Sequence, residues 1–231
     1  MKYCGKIEKG SFLERKNRFI ADVSLGGEKL TVHVKNTGRC RELFAPDAVV
    51  YLERAEALGR KTPYDLIAVE KKTKDGIILI NIDSGAPNKA VGEWLAGGLF
   101  SKEALVRAEV KYGNSRFDFY VEDGERRAFV EVKGVTLECE GTVSFPDAPT
   151  ERGVKHVKEL CAAKAAGYEA YVIFVVQMKG ALRFTPNRKT HPEFADALKS
   201  AAELGVNILA LDCEVSEDGM VISEEIKEIV I

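Results

Sequence analysis

The sequence predicts an α/β protein, α+β overall, in which a small β-barrel precedes a domain of mixed helices and strands. Residues 3–83 contain six short strand-like runs and almost no helical periodicity. Residues 86–231 instead alternate buried strands with amphipathic segments of helical length. Because the pattern changes near residues 84–88, we expect two domains, 1–85 and 86–231.

The first domain is predicted to be a barrel of the OB type. Its strand-like runs cover residues 7–13, 18–25, 29–34, 48–53, 66–71 and 77–82, with turn signals about every ten residues. Such barrels often bind single-stranded nucleic acid through cationic grooves and aromatic side chains. The candidates are Arg15, Lys16, Arg18, Arg39, Arg41, Arg60 and Lys61, interleaved with Phe12, Phe19 and Tyr64. A solvated basic face with core aromatics explains the same residues, so both interpretations stay open.

Composition limits the class of protein. With 45% hydrophobic and 30% charged residues in 231, the chain is expected to be globular and soluble. Its five cysteines are scattered and lack any C-x-x-C spacing, so neither a disulfide framework nor a zinc site is expected, and a reducing cytoplasm fits best. The longest apolar run, residues 170–176, is too short to cross a bilayer, so no membrane partner is expected.

The net charge of −2 conceals an asymmetry between the two parts. Residues 1–85 carry 16 Lys and Arg against 12 Asp and Glu, whereas the remainder carries 18 against 24. This difference suggests two modules with different partners, although a solvated basic face would also account for it.

The second domain is predicted to contain a mixed central sheet. Helices are expected over residues 89–100, 151–166 and 192–204, and strands over 105–112, 116–121, 128–133, 168–178 and 206–215. The acidic stretch 214–228 is expected to be a solvated edge. A hairpin that leads into parallel strands would place a site at one end of the sheet.

The predicted hairpin brings two carboxylates together. A four-residue loop at residues 123–126 gives a register in which one face is apolar, pairing Phe117 with Val132, Phe119 with Val130 and Val121 with Ala128. The same register sets Asp118 opposite Glu131, with Lys133 on that face and Arg116 opposite Lys133. Facing like charges need a cation, a shared proton or flanking basic groups.

Oxygen ligands at this spacing suit Mg²⁺ or Mn²⁺, and a metal-bound water beside a lysine is a hydrolytic nucleophile. A surface ion network of Arg116, Lys133, Asp118 and Glu131 explains the same residues without a metal. Two features favour a ligand. Gly134 follows Lys133 within the predicted strand, where a glycine is favoured only if a ligand or another backbone segment approaches closely. The loop 145–153 carries several groups that can bind phosphate.

Six segments carry a resemblance to a known family: NTGRCREL (36–43), TPYDL (62–66), PNKAV (87–91), EVKYGNSRFDF (109–119), EVKGVTL (131–137) and FPDAPTERGVKHVKEL (145–160). Over essentially its full length the chain resembles the sugar fermentation stimulation protein A (SfsA) family, and its second part resembles the PD-(D/E)xK nucleases. The resemblance implies an OB-like N-terminal β-barrel, a PD-(D/E)xK nuclease-like α/β domain, DNA binding and a link to sugar utilisation.

The resemblance also implies roles for single residues. Asp118 and Glu131 correspond to metal ligands, Lys133 to the catalytic lysine and Glu93 to an accessory acid on the first helix. Arg152 and Lys155 would face the scissile phosphate. Phe117 stands where the nuclease motif has proline.

Two functions are therefore expected as alternatives. The first is a Mg²⁺- or Mn²⁺-dependent nuclease that binds DNA with little sequence preference. The second is a non-catalytic DNA-binding regulatory factor in sugar (maltose) metabolism. A hydrolase of a small phosphorylated ligand is a third alternative, and a homodimer is compatible with the sequence.

Overall fold

The computed structural model describes residues 1–36, 38–56 and 59–231. The first part of the chain forms strands β1 (Ile7–Arg15), β2 (Ile20–Leu25), β3 (Glu28–Val34), β4 (Val49–Arg54), β5 (Tyr64–Thr73) and β6 (Gly76–Asn81). The second part begins with α1 (Ala86–Gly98), β7 (Leu105–Tyr112), β8 (Ser115–Asp123), β9 (Arg126–Val135), β10 (Leu137–Cys139) and β11 (Thr142–Phe145). It continues with α2 (Glu151–Ala165), β12 (Glu169–Val176), β13 (Arg183–Pro186), α3 (Pro192–Glu203), β14 (Asn207–Ser216), β15 (Gly219–Glu225) and β16 (Glu228–Ile229).

Five strands of the first part close into a barrel. Their spatial order is β3-β2-β1-β4-β5, and each strand in this order pairs antiparallel with the next. Closure comes from β3 and β5, which pair parallel through His33 with Asp65 and Val34 with Leu66. β6 extends the sheet beyond β5. The predicted OB-like barrel is confirmed.

The second part is built on a six-stranded sheet in the order β15-β14-β12-β9-β8-β7. β12 runs parallel to both β9 and β14, while the other neighbouring pairs are antiparallel. The predicted mixed α/β sheet is therefore confirmed. The acidic C-terminal stretch supplies β15, which is an edge strand.

A second sheet, with the order β10-β11-β13-β16, was not predicted. Its strands are two to four residues long. Segments this short are below the length at which alternation of polar and apolar residues is recognisable.

Apolar residues cover the central sheet on both faces. On one face α1 packs over a core that includes Val91, Phe119, Val130 and Ile173. On the other face α2 and α3 pack over the core that contains Phe174, and this core continues without a break into the barrel interior around Val50 and Leu66. The alternative of a surface ion network on the hairpin is therefore wrong, because Glu131 is buried and Phe129 and its neighbours pack beneath α2 on the same face.

The hairpin register is confirmed where the strands pair, with Phe119 opposite Val130 and Val121 opposite Ala128. Asp123 also pairs with Arg126, so the loop has two residues rather than the four predicted. Phe117 does not face Val132. It belongs to the other core, where its ring centroid lies 5.2 Å from that of Phe129. Beside it the neighbouring strand is irregular, since Glu109 has a φ of 57°.

Hydrogen bonds join the end of the barrel to the central sheet. Gln177, which follows β12, donates from Nε2 to the carbonyl oxygens of Asn81 at 3.0 Å and Asp83 at 3.1 Å. The backbone N–H of Asn81 donates in return to the Gln177 carbonyl at 2.9 Å. Among the helices within the described ranges, none is both long enough and apolar enough to cross a membrane.

We expect Phe174→Ala to lower the free energy of unfolding by about 3–5 kcal/mol, because a large buried ring leaves a cavity that its neighbours fill only partly. The Phe174 ring is fully buried and stacks on Phe184 with centroids 4.2 Å apart. Phe19→Ala is the matched control, since Phe19 is 46% exposed and its loss should change stability by less than about 0.5 kcal/mol. Urea denaturation followed by circular dichroism measures both, and equal losses would contradict this assignment of the core.

Candidate metal and nucleic-acid site

Glu131 places a carboxylate inside the central sheet. It lies on β9, between β8 and β12, and is only 2% exposed. Its Oε1 forms short contacts with the Lys133 ammonium and with Nδ1 of His156. Its Oε2 is buried and has no hydrogen-bond partner among the described residues. Burial alone would raise the pKa of Glu131, but the hydrogen bond from His156 and the charge of Lys133 outweigh it, so the pKa is lowered.

Asp118 presents the second carboxylate from β8. Its Oδ2 accepts the backbone N–H of Val132 at 2.7 Å, and its Oδ1 accepts Nδ2 of Asn88 on α1 at 2.7 Å. Burial raises the pKa of Asp118, and the nearby charge of Glu131 raises it further. The charge of Glu131 acts on Asp118, so the two acids are near one another, but the strand pairing that would set them directly opposite each other ends one residue earlier, at Phe119.

These two carboxylates fit a hard divalent cation. The Oε2 of Glu131 is buried without a partner among the described residues, and burial and the charge of Glu131 raise the pKa of Asp118, so a cation between the two would stabilise the charged form of both. Over the described ranges, no group of three or more His, Cys, Asp or Glu side chains is arranged to hold a metal. Mg²⁺ requires no such cage, because it commonly binds one or two carboxylates and keeps several waters.

His156 is a residue of this site that the sequence did not predict. It is buried on α2, and its Nε2 accepts the Nε–H of Arg152 at 3.3 Å. With Nε2 accepting, the proton of a neutral ring is on Nδ1, which donates to Glu131. The available signal was the four-residue spacing of Arg152 and His156, which sets them on one face of a helix.

Arg152 is held beside the site by its hydrogen bond to His156, whereas Lys155 is held elsewhere. The Lys155 ammonium donates to the Asn114 carbonyl at 2.8 Å, at the turn between β7 and β8. Arg116 is likewise turned away, with its Nε 2.7 Å from Glu109 in an exposed pair. Arg116 therefore does not compensate the charge of Asp118 and Glu131, so the predicted ion network that includes it is wrong, while the assignment of Lys155 to a phosphate stays a prediction.

Glu93 is not brought to the hairpin carboxylates. Its Oε2 lies 2.7 Å from the N-terminal ammonium of Met1. Asn88 and Glu93 are separated by about 140° around the helix, and α1 turns Asn88 toward Asp118. The residue of α1 that contacts Asp118 is therefore Asn88, with its side-chain amide, and not Glu93, the acid that was predicted there.

A groove on the barrel collects four of the predicted basic residues. Arg15, Arg18, Arg39 and Arg41 line a concavity of about 540 Å³, together with Phe12 and Phe44. Arg15 has a structural role, because its guanidinium donates hydrogen bonds to four backbone carbonyl oxygens, those of Asn17, Arg18, Asn36 and Arg39. Its guanidinium also lies over the Phe44 ring, 4.8 Å from the centroid. The other three arginines of the groove, Arg18, Arg39 and Arg41, are exposed.

Other predicted binding residues have structural partners. The Lys16 ammonium lies 2.7 Å from the buried carboxylate of Asp22, and Arg60 pairs with Asp65. Of the interleaved aromatics, Phe12 and Tyr64 are buried and Phe19 is exposed. Phe44, which the sequence analysis did not select, supplies the aromatic surface of the groove instead.

A cleft between the two parts of the chain continues from this groove. It measures about 420 Å³ and shares Arg18 and Gly38 with the groove as lining residues. Gly134 and Gln177 line its floor at the carboxyl ends of β9 and β12, where open α/β sheets usually bind ligands.

Gly134 has a packing role at this position. A Cβ there would lie 2.5 Å from Oε1 of Gln177 and 2.9 Å from Cγ of Pro87. The close approach that the sequence predicted at Gly134 is thus made by protein side chains.

The loop after β3 meets the loop before α2 at the edge of the cleft. The Cys40 N–H donates to Oδ2 of Asp147 at 2.9 Å, which joins two segments that are distant in sequence. Thr150 then caps α2 by accepting the N–H of Gly153 at 3.1 Å. The groove and the cleft therefore adjoin at this edge, where Arg18 and Gly38 line both.

The architecture defines a class of protein in which an OB barrel is followed by a mixed α/β domain with two acids, the half-buried Asp118 and the buried Glu131, on its central sheet. Protein-family models assign both parts. The model described as the SfsA N-terminal OB domain matches residues 13–80, and that described as the sugar fermentation stimulation protein RE domain matches residues 85–219. The chain belongs to the sugar fermentation stimulation protein family.

Individual relatives agree with this assignment. A sugar fermentation stimulation protein homologue of Desulfitobacterium hafniense is 57% identical over 220 residues, which cover 95% of this chain and 94% of the relative. The homologue of Ruminiclostridium cellulolyticum is 55% identical, with 98% and 99% covered. The solved structure of SfsA of Pyrococcus furiosus, described as a complex with Ca²⁺, is similar with a TM-score of 0.85 and 28% identity over 100% of both chains.

We expect His156→Leu to lower the free energy of unfolding by about 1.5–3 kcal/mol at pH 7 in chelator, because it removes a donor to a buried carboxylate. His156→Asn, which retains an N–H donor, should recover part of that loss. Because the folded pKa of Glu131 is lowered, its contacts stabilise the protein above the ordinary glutamate pKa, and this stabilisation disappears as the pH falls through the folded pKa. Urea denaturation from pH 7 to pH 3 measures the difference, and a pH-independent loss would assign His156 a packing role alone.

Proposed function

We propose that this protein binds nucleic acid, most readily DNA, along the groove of its barrel and hydrolyses phosphodiester bonds at Asp118 and Glu131 with the help of Mg²⁺ or Mn²⁺. The observation that carries the proposal is the buried, unpartnered Oε2 of Glu131 beside an Asp118 of raised pKa. A protein that only binds phosphate gains nothing from two adjacent buried acids, because their charge repels the ligand.

The surrounding residues support hydrolysis by holding these acids in place. Asn88 and the Val132 N–H fix both oxygens of Asp118, while His156 fixes one oxygen of Glu131. The free Oε2 of Glu131 and the Asp118 carboxylate are the groups that would hold the cation. When bound there, a divalent cation supplies Lewis acidity toward a phosphate oxygen and lowers the pKa of a bound water.

Lys133 and Arg152 supply positive charge beside the acids. Lys133 is held by its ion pair with Glu131, and Arg152 by its hydrogen bond to His156. Ammonium and guanidinium groups fixed in this way stabilise the charge that develops on a phosphoryl group during hydrolysis. Lys133 can also orient the attacking water. The Ca²⁺ named for the Pyrococcus furiosus relative supports a hard divalent ion in this family.

A non-catalytic DNA-binding factor is the second candidate, and one observation favours it. Glu131 Oε1 is already compensated by both Lys133 and His156, which reduces the demand for a metal. The two candidates differ in whether the bound strand is cut.

The direct test incubates the protein with single-stranded and duplex DNA and with RNA, in Mg²⁺, in Mn²⁺ and in chelator. We expect cutting that requires a divalent cation and disappears in Asp118→Ala. Asp75→Ala, in the exposed turn between β5 and β6, is the matched control and should cut normally. Binding without cutting in every condition would support the regulatory factor.

Lys133→Met should reduce the cleavage rate by about 10²–10⁴-fold and leave DNA affinity nearly unchanged, because the ammonium acts mainly in the transition state. Lys111→Met, at an exposed lysine on β7 at the edge of the same sheet, is the control. Gel-based cleavage assays and fluorescence anisotropy give the two quantities. A large loss of affinity would make Lys133 a phosphate-binding residue instead.

The groove is tested by salt dependence. The double variant Arg39→Ala/Arg41→Ala should weaken DNA binding and reduce the slope of log affinity against log salt by about 2, one for each lost phosphate contact. The control is Arg107→Ala/Arg188→Ala, which removes two exposed arginines paired with Glu122 and Asp196 elsewhere. An equal change of slope in both double variants would refute a groove-specific contact.

A further inference from the structure

We propose that the cleft between the two parts of the chain binds one unpaired base of a strand whose phosphates lie in the barrel groove. The substrate would then be single-stranded or locally unpaired nucleic acid. This inference rests on the proposed function. The proposed function names the bond that is hydrolysed, and the inference adds that the strand which carries this bond is unpaired.

The charge of the cleft differs from that of the groove. The groove has four arginines and a single acid, Glu14, among its lining residues. The cleft contains Asp147, which forms no ion pair with any basic side chain in the described part of the chain. Because Asp147 offsets Arg18, the one arginine that lines the cleft, a phosphate is attracted to the groove more strongly than to the cleft, whereas the amino and imino groups of a base can donate to a carboxylate.

The remaining polar groups of the cleft are also suited to a base edge. Nε2 of Gln177 donates hydrogen bonds to Asn81 and Asp83, which precede α1. Within the described residues, Oε1 of Gln177 accepts no hydrogen bond. The hydroxyl groups of Ser84 and Ser144 line the same space and can either donate or accept. Each base presents a mixed pattern of donors and acceptors, so this set of neutral groups can pair with one.

The size and the apolar lining of the cleft fit a single base. Its volume of about 420 Å³ lies within the range of about 300–1,000 Å³ found for small-molecule sites. Pro146, Pro149, Val135 and Leu137 line its sides with apolar atoms. Apolar side chains of this kind contact the faces of bases that enzymes take out of the stack.

The position of the cleft connects it to the acidic site. Arg18 and Gly38 line both the groove and the cleft, so a strand can pass from one to the other without crossing intervening protein. At the floor, Gly134 directly follows Lys133 in the chain. A base in the cleft thus holds the adjoining backbone beside Lys133, and a paired base cannot enter because its partner strand is attached.

The first experiment uses the unaltered protein in chelator, where no metal-dependent cutting occurs. Fluorescence anisotropy measures affinity for a labelled 12-nucleotide DNA strand, for the same sequence in a hairpin-capped duplex, and for a 12-unit abasic strand. Because base contacts contribute about 1–3 kcal/mol each, we expect the normal strand to bind at least about tenfold more tightly than the other two.

A variant assigns the preference to the cleft. Ser84 is exposed, and only its backbone N–H is engaged, with Lys35. Ser84→Phe should fill the cleft and reduce the affinity for the normal strand to that for the abasic strand, with abasic binding unchanged. Ser200→Phe, at an exposed serine on α3, is the matched control and should bind all three probes normally.

Each outcome is decisive. Equal affinity for the normal and abasic strands would overturn the base-binding cleft and leave the groove proposal intact. A preference that survives in Ser84→Phe would also overturn it, since the groove aromatics would then account for the base contacts. Failure to bind any probe would refute the proposed function itself. Should Ser84→Phe not fold by circular dichroism, Pro149→Phe, at a second exposed residue that lines the cleft, takes its place with the same expected results.

Discussion

The burial of Glu131 is the constraint on which the second part of the structure depends. A carboxylate at the centre of a covered sheet is costly unless charged or donating groups surround it. β9 supplies Lys133 two residues away, and α2 supplies His156 with Arg152 behind it. For these contacts α2 must begin where Thr150 caps it and must lie directly over β9. The fold and the site are therefore specified by the same interaction.

Much of the architecture follows from local sequence. Alternation of polar and apolar residues identified the barrel strands and the hairpin, and helical periodicity identified α2 and α3 to within about one residue. The pairing of Phe119 with Val130 and Val121 with Ala128 was predicted because a shift by one residue would exchange the two faces. The approach of Asp118 and Glu131 followed from that register. The apolar periods of two residues in strands and 3.6 residues in helices involve only residues close together in the chain, so a single sequence shows them.

The contacts of individual charged residues could not be predicted in the same way. Lys16 neutralises Asp22, Arg60 binds Asp65, and Arg15 secures the loop that follows β3. In each case the partner comes from another strand or loop, so the pairing depends on how elements pack rather than on local pattern. His156 illustrates the same limit, because its role appears only when α2 is placed over β9. The sequence identified the basic residues, but it could not separate those that bind within the protein from those that face a ligand.

The continuous core around Phe174 has a consequence for how this chain folds. The apolar cluster that fills the barrel also includes the face of the central sheet under α2 and α3. Cleaving the chain at residue 85 would leave Val34, Leu43 and Ile82 without the neighbours that exclude water from them. The two parts are separate in topology, yet they share one solvent-free interior, so the boundary visible in the sequence is not a boundary between independent folding units.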